Sequence, residues 1–217
     1  NIVNTLFARD NRLLIGSGKN PATSLQLLIE QLSTLVEQGL KRVYIEYLPR
    51  DLFYNKLRIL NNQVTGNKAR ALQQIKQQLA EADKVLNLSG APFNYSKLLD
   101  ETQRLNVQID GLDGAMSYHL DHAPSRRAGT YFSPRSNRLR NFYSHTIIEH
   151  NLSNNPGEGW VALVASERLG TYARVVGLAD LEYALALRIT DVPSTTPTGV
   201  VPDTNARGLS KGDYVLS

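Results

Sequence analysis

Short apolar runs alternate with amphipathic segments over most of the chain. Apolar runs of strand length occupy residues 12–16, 42–48, 106–113, 160–164 and 184–192. Between them, apolar residues recur with the spacing of one helix face in segments 21–38, 67–83, 94–104 and 136–153. Shorter helices are predicted at 51–60 and 177–183. Strands that alternate with helices through short links predict an α/β fold, with a mostly parallel sheet covered by helices.

The segment 136–153 is predicted to pack on the sheet through one apolar stripe. That stripe consists of Leu139, Phe142, Tyr143, Thr146 and Ile147. The preceding residues 114–135 show weak periodicity and carry Gly, Pro, Ser and Arg, which is typical of a long surface loop. From residue 193 the chain is rich in Pro, Thr and Gly without a period. We therefore expect one α/β domain over residues 12–192 and a flexible C-terminal tail or linker over 193–217.

Composition limits the classes of protein and of site. The 217 residues, 41% of them hydrophobic, are enough for one substantial core. No apolar run approaches the ~20 residues of a membrane span. The absence of cysteine excludes disulfides, thiolate metal sites and a cysteine nucleophile from this sequence. The sequence starts at Asn1 without a signal-peptide pattern, and we expect it to be part of a larger protein.

The formal net charge of +4 raises the question of a polyanionic partner. The dense basic cluster of the chain, interleaved with aromatic residues, consists of Arg126, Arg127, Arg135, Arg138 and Arg140. Arginine beside aromatic rings is typical of surfaces that bind phosphates or nucleic acid. A solvated loop that leads into a basic helix face explains the same pattern, and this interpretation is favoured. A basic surface for an acidic membrane or RNA is kept as an alternative, although nucleic acid is not the expected partner.

Polar residues stand where the predicted strands end, and they are candidate site residues. In open α/β sheets, ligands bind beyond the carboxyl ends of the strands. The residues at these ends are Ser17, Lys19, Glu46, Asp113, Ser166, Glu167 and Arg168. Because parallel strands end on the same side of a sheet, we expect these residues to converge in one crevice.

The order of these segments resembles the erythromycin esterase, ChaN and Tiki superfamily, in particular the ChaN-like domains of large bacterial toxins and effectors. The segments that carry the resemblance, in the order of the family's motifs, are IGSGKN from Ile15, VYIEYLPRD from Val43, VQIDGLD from Val107, RLRNFYSHTIIEH from Arg138, WVALVASERLGT from Trp160, VVGLADLEYA from Val175 and LRITDV from Leu187. The resemblance implies a toxin or effector domain that is secreted or translocated into a host or target cell as part of a larger protein.

Departures from the family's motifs fall on the residues that would carry its chemistry. The family's Gly-Glu-x-His is Gly16-Ser17-Gly18-Lys19 here, and its Gly-Asn-x-His is Ala165-Ser166-Glu167-Arg168. The second-strand glutamate is retained as Glu46, but the histidine after it is Tyr47. Lys and Arg stay protonated at neutral pH and do not replace a neutral imidazole as a metal ligand. The resemblance therefore implies a catalytically degenerate module, and we expect no metal and no cofactor.

Glu46 is the best single candidate for a catalytic residue. As a general base it would act with Lys19, Ser17, Glu167 or Arg168 in a divergent hydrolase of the esterase or peptidase type. The favoured explanation is an ion pair of Glu46 with Lys19 or Arg168 in a degenerate module that binds or scaffolds. Candidate binding residues are Asp113, Arg126, Arg127 and Arg138. The expected partner is a protein or small molecule of the host or target cell.

The four histidines of the sequence lie outside the positions at which the family has its own. His119 and His122 have the spacing of a metal-ligand pair, but a solvated loop is the favoured explanation. His145 and His150 are five residues apart on one predicted helix and therefore on different faces. Surface or capping roles are expected for these two residues.

Overall fold

The computed structural model describes residues 1–18, 21–115, 134–172, 174–190, 199–203 and 212–216. Within them the helices are α1 (Ile2–Arg9), α2 (Ala22–Glu37), α3 (Arg50–Leu60), α4 (Lys68–Val85), α5 (Tyr95–Arg104), α6 (Pro134–Asn154) and α7 (Leu178–Glu182). The strands are β1 (Arg12–Ser17), β2 (Leu40–Pro49), β3 (Gln108–Asp113), β4 (Gly159–Ala165), β5 (Leu185–Ile189), β6 (Val200–Pro202) and β7 (Tyr214–Leu216). A 3₁₀ turn, Ser166–Arg168, follows β4 directly. None of the described helices is both long and apolar enough to cross a bilayer.

The strands form one sheet in the order β3-β2-β4-β1-β5-β7-β6. Neighbouring strands pair in parallel except β6, which runs antiparallel to β7. Because the first four strands point the same way, Ser17, Asp113 and Ala165 end on one side of the sheet. The predicted fold class, a mostly parallel sheet covered by helices, is confirmed.

Local sequence signals set the ends of several helices. The side chains of Asn67 and Asn94 accept hydrogen bonds from the amides of Arg70 and Lys97, which stabilises the first turns of α4 and α5. Helix α2 ends just before Gly39, whose φ of +104° lies in the left-handed region that glycine adopts without strain. These ends agree with the helices predicted from the sequence to within a few residues.

Alternate residues of the strands build two cores, one on each face of the sheet. On one face, Leu13 and Ile15 of β1 belong to a large apolar cluster that includes residues of helices α1 to α5. On the other face, Leu14 belongs to a smaller cluster with Ile148 of α6 and Leu178 of α7. The smaller apolar cluster leaves part of the second face to polar side chains.

Two segments outside residues 12–192 differ from the predictions. Residues 2–9, for which no element is predicted, form α1, whose first turn is capped by Asn1. Residues 193–217, predicted to be a tail, contribute β6 and β7, which extend the sheet beyond β5. Asp213 contributes to this attachment because its carboxylate accepts the N–H of Ala186 in β5. The boundary of the domain at residue 192 stays a prediction.

Only part of the apolar stripe predicted for α6 packs on the sheet, namely Tyr143 and Ile147. Leu139 and Phe142 are 51% and 65% exposed, whereas Arg140, Asn141 and Ser144 are buried. The buried face of α6 is largely polar because it packs on polar side chains of β2 and β3. This packing determines the geometry of the candidate site.

Candidate functional site

β2 carries a polar stripe on the face of the sheet that α6 covers. Arg42, Tyr44 and Glu46 alternate with the apolar Val43 and Ile45, so they share that face. All three are at most 1% exposed. Charged groups buried to this extent need partners, because an unpaired charge in a protein interior is strongly destabilising.

At the carboxyl end of the sheet, Glu46 and Asp113 bind the guanidinium groups of Arg140 and Arg168. Arg140 Nη2 donates to Glu46 and lies 2.6 Å from Asp113 Oδ2. Arg168 Nη1 lies 3.1 Å from Asp113 Oδ1 and 3.4 Å from Glu46 Oε1. We name these four side chains the carboxylate–arginine quartet. Its negative and positive charges balance, and all four residues are buried.

The carboxylate of Glu46 extends the connection between two strands. Backbone pairing of β2 with β4 ends at Ile45 and Leu163, and beyond that point the N–H of Ala165 donates to Glu46. One Glu46 oxygen is thus occupied by the Ala165 amide and the other by the two arginines of the quartet. A substrate could reach this carboxylate only if the quartet opened.

Arg168 is held on every side by the protein. Its Nε donates to Asn141 Oδ1 at 3.0 Å, and its Nη2 donates to the Ser144 hydroxyl at 2.5 Å and to the backbone oxygen of Arg140 at 3.1 Å. Its Nη1 binds Asp113. All three guanidinium nitrogens therefore bond inside the protein, and they connect the turn after β4 to α6 and β3.

Burial and charge act in opposite directions on the two carboxyl groups. Burial would raise the pKa of Glu46, but Arg140, Arg168 and the Ala165 amide outweigh it and lower the pKa below its ordinary value of 4.5. For Asp113, burial outweighs the attraction of Arg168 and Arg140, and the pKa is raised. The same two arginines thus outweigh burial at Glu46 and do not outweigh it at Asp113.

A second buried ion network continues the polar interface toward the amino end of the sheet. Arg42 Nε lies 3.1 Å from Glu158 Oε2, and Arg50 Nε lies 3.2 Å from Asp110 Oδ1. Asn151 of α6 donates to Asp110 Oδ2 at 2.9 Å. Helix α6 thus meets the sheet through two polar networks, with apolar contacts between them.

Ser17 and Glu167 lie at the same end of the sheet as the quartet. The buried Ser17 hydroxyl donates to the backbone oxygen of Val164 at 3.3 Å. Glu167 belongs to the 3₁₀ turn and is half-buried. Burial raises the pKa of Glu167, and the nearby Glu46 carboxylate raises it further. Glu167 is therefore better suited than Glu46 to accept and release a proton.

The structure brings together three of the residues that the sequence places in one crevice, namely Glu46, Asp113 and Arg168. The expected pairing of Glu46 with Arg168 is present. Glu46 also pairs with Arg140, and this contact is shorter, although the sequence predicts a basic surface for Arg140. That assignment is wrong for Arg140 because its guanidinium points into the quartet. Arg138, on the same helix, is exposed and donates to the backbone oxygen of Arg174 at 3.2 Å.

Five residues discussed above lie outside the described part of the chain. They are Lys19, Arg126 and Arg127 of the candidate sites and the pair His119 and His122. Their roles stay predictions.

The structure adds Arg140 and Ser144 to the residues predicted for the site, although the sequence carries a signal for both. Polar residues recur along α6 at positions 140, 144 and 151, which places them on one helix face. Arg42, Tyr44 and Glu46 alternate along β2 in the same way. Polar periodicity in both elements would have predicted a buried polar interface between them.

No protein-family model matches the sequence, and no curated protein matches it either. The fold matches solved structures. The type III effector HopBA1 matches over 98% of this chain and 89% of its own length, with a TM-score of 0.62 and 12% identity. RRSP, a MARTX toxin effector domain from Vibrio vulnificus CMCP6, matches over 87% of this chain with a TM-score of 0.58 and 21% identity. The C-terminal region of Pasteurella multocida toxin matches over 87% with a TM-score of 0.56 and 15% identity.

This chain has the fold of toxin and effector domains. The toxin-effector fold expected from the sequence motifs is therefore confirmed. The chain spans 35% of the RRSP structure and 24% of the Pasteurella multocida toxin structure. At these identities the likeness establishes the architecture, while the groups at the strand ends have to be judged from this chain's own residues.

Proposed function

We propose that this chain is a toxin or effector domain that acts by binding a protein of the host or target cell, without hydrolytic chemistry in its strand-end crevice. Glu46 carries the proposal, because it is buried and bonded through both carboxylate oxygens. The fold that the chain shares with toxin and effector domains supports a toxin-like role. Delivery into another cell, as part of a larger protein, belongs to the same proposal.

The quartet occupies the place where a reaction would have to occur. A general base needs a free oxygen within hydrogen-bonding distance of the proton that it removes. Glu46 has a lowered pKa and both oxygens bonded. Arg168 has all three guanidinium nitrogens bonded inside the protein. Neither group is left to bind a substrate, so the quartet serves the structure of the domain.

One structural relative has a catalytic group that this chain lacks. The C-terminal region of Pasteurella multocida toxin has a thiol-protease-like catalytic triad. The present sequence contains no cysteine, so a thiol of this chain cannot be the nucleophile. A shared fold without the thiol supports a function other than that of a thiol protease, here one that depends on the surface.

The exposed face of α6 is the surface that supports a protein partner. Leu139 and Phe142 are exposed there, on the side of the helix that faces away from the quartet. Arg138 is exposed next to them. Exposed apolar residues rimmed by charge mark protein interaction surfaces. Arg138 and the net charge of +4 favour a partner with acidic groups around an apolar patch.

Growth of yeast or bacterial cells that produce the chain from an inducible promoter tests the proposal. We expect the wild-type chain to inhibit growth, and Phe142→Ser to abolish inhibition while its melting temperature stays that of the wild type. Val85→Ser, at an exposed apolar residue of α4 away from this face, is the matched control and should keep full inhibition. Full inhibition by Phe142→Ser, or no inhibition by the wild type in either cell type, would contradict the proposal.

A divergent hydrolase is the second candidate function, and Glu167 supports it better than Glu46 does. Glu167 is half-buried and has a raised pKa, which suits a general acid or base. Under this alternative, Glu167→Gln abolishes growth inhibition without a change in stability, and the wild-type chain hydrolyses p-nitrophenyl acetate. Under the binding proposal, Glu167→Gln inhibits growth as the wild type does, and no hydrolysis above the buffer rate is measured.

A further inference from the structure

A group of titratable side chains lies away from the crevice, between α6 and α7. His145 and Glu149 are four residues apart on α6 and therefore face the same side. Glu182 is the last residue of α7. The ligand atoms that these three residues offer all lie within 4.8 Å of one another. His145 Nδ1 and Glu182 Oε1 lie 2.8 Å apart.

Glu182 is buried, and no arginine or lysine of the described residues forms an ion pair with its carboxylate. Its side chain is 1% exposed, and within the described residues its only ion-pair partner is His145. Arg12 donates to the backbone oxygen of Glu182 rather than to the carboxylate. The buried carboxylates of Glu46 and Asp113, in comparison, each contact two arginines. The Glu182 carboxylate can therefore bind a further positive charge.

We infer that His145, Glu149 and Glu182 form a binding site for a divalent transition-metal ion such as Zn²⁺. One imidazole nitrogen and two carboxylates are a donor set that zinc accepts, with bonds of about 2.0–2.2 Å. Tetrahedral coordination at such bonds places two ligand atoms about 3.3 Å apart. His145 Nδ1 and Glu182 Oε1 are 2.8 Å apart, and all three ligand atoms lie within 4.8 Å of one another, so small side-chain movements reach that spacing.

The site is open to solvent on one side. His145 is 28% exposed and Glu149 is exposed, so an ion can enter without movement of the backbone. Water completes the coordination, since the part of the chain that the structure describes supplies three protein ligands. The metal-binding forms are a neutral imidazole and ionised carboxylates, so any proton held between His145 and Glu182 is released to solvent on binding.

The bound ion holds α7 against α6. α7 leads into β5, and α6 carries Arg140 and Ser144 of the crevice, so the site connects two structural layers. The inference does not depend on the proposed function, because it involves neither the crevice nor the exposed apolar face. It also leaves intact the expectation that the crevice itself binds no metal.

Isothermal titration of the metal-free chain with ZnCl₂ tests the site. We expect one zinc ion per chain and a rise in melting temperature on binding. His145→Ala, Glu149→Gln and Glu182→Gln should each weaken binding by about tenfold or more. His150→Ala replaces an exposed histidine of the same helix and is the matched control, with unchanged affinity expected.

Two outcomes would overturn the inference. One is a wild-type chain that binds no zinc at millimolar concentrations of the ion. The other is equal binding by the wild type, His145→Ala and Glu149→Gln, which would place the ion elsewhere, for example at His119 and His122. Glu149 is exposed, so Glu149→Gln keeps the test decisive even if Glu182→Gln does not fold.

Discussion

Arg168 and Ser144 are joined by a hydrogen bond of 2.5 Å between a guanidinium nitrogen and a hydroxyl oxygen. The bond links the 3₁₀ turn after β4 to α6. It orients Arg168 so that another nitrogen of the same group binds Asp113. In the family that the sequence resembles, a histidine occupies the position of Arg168. In this chain Arg168 connects the 3₁₀ turn to α6 and β3.

Replacement of Arg168 by methionine is expected to destabilise the domain strongly. Arg168→Met leaves Glu46 and Asp113 buried with Arg140 as their remaining cation among the described residues. The loss of one partner from a buried ion network costs about 3–5 kcal/mol. Urea denaturation measures the change in the free energy of unfolding. Arg138→Met, at an exposed position of α6, is the control and should change that free energy by no more than about 0.5 kcal/mol. Equal denaturation midpoints for the two variants would contradict the role assigned to the quartet.

Two serines of α6 should respond differently to replacement by alanine. Ser144→Ala removes a buried acceptor from Arg168 and is expected to cost about 1–3 kcal/mol. Ser153 is exposed and bonds only to the backbone oxygen of Glu149 in its own helix. Ser153→Ala should therefore change stability by less than about 0.5 kcal/mol. Thermal melts of both variants provide the comparison, and similar melting temperatures would show that the Ser144 bond is dispensable.

Gly16, near the end of β1, has no space for a side chain. A Cβ atom there would lie 2.3 Å from Leu169 Cδ1 and 3.0 Å from Ser166 Cα. Gly16→Ala is expected to displace Leu169 and the 3₁₀ turn at a cost of about 1–3 kcal/mol. Leu169→Ala vacates that space, so the double variant should lose less stability than the two single losses added together, by at least about 0.5 kcal/mol. Strictly additive losses in a double-mutant cycle would exclude this contact as the cause.

The pH dependence of stability should carry a contribution from Glu46. Its pKa is lower in the folded chain than the ordinary value of 4.5, so the folded state binds fewer protons there than the unfolded state. The resulting stabilisation is present above pH 4.5 and is lost as the pH falls through the folded-state pKa. Glu46→Gln lacks this contribution, and the gap in unfolding free energy between wild type and variant should narrow in acid. Urea denaturation of both chains from about pH 7 to about pH 3 measures the gap. A gap that stays constant over this range would show that the stability difference does not come from the ionisation of Glu46.

The strands and most helices were predictable because each has its own local signal. β1 and β2 are apolar runs with β-branched or aromatic residues, and α2 stops before Gly39. The strands β6 and β7 also contain β-branched or aromatic residues, but each has three residues, which is too short for a local signal. Asp203 and Asp213 bind residues of β5, so these strands depend on contacts distant in sequence.

The quartet was predictable only in part, because its members come from four separate elements. Sequence motifs place Glu46, Asp113 and Arg168 at the ends of strands. Arg140 could be added only with knowledge of which face of α6 meets the sheet. Apolar periodicity alone predicts that Leu139 and Phe142 face the sheet. In the structure the opposite face of α6 is buried, because it binds polar side chains of β2 and β3.

The short strand β6 has a consequence for how the protein behaves at high concentration. An open sheet edge offers unpaired backbone groups to other chains and promotes aggregation. β6 covers β7 with three residues, and one of them, Pro202, has no amide hydrogen to donate. An incoming strand therefore finds few donors at this border of the sheet, so β6 protects the domain against edge-to-edge assembly into insoluble β-rich polymers.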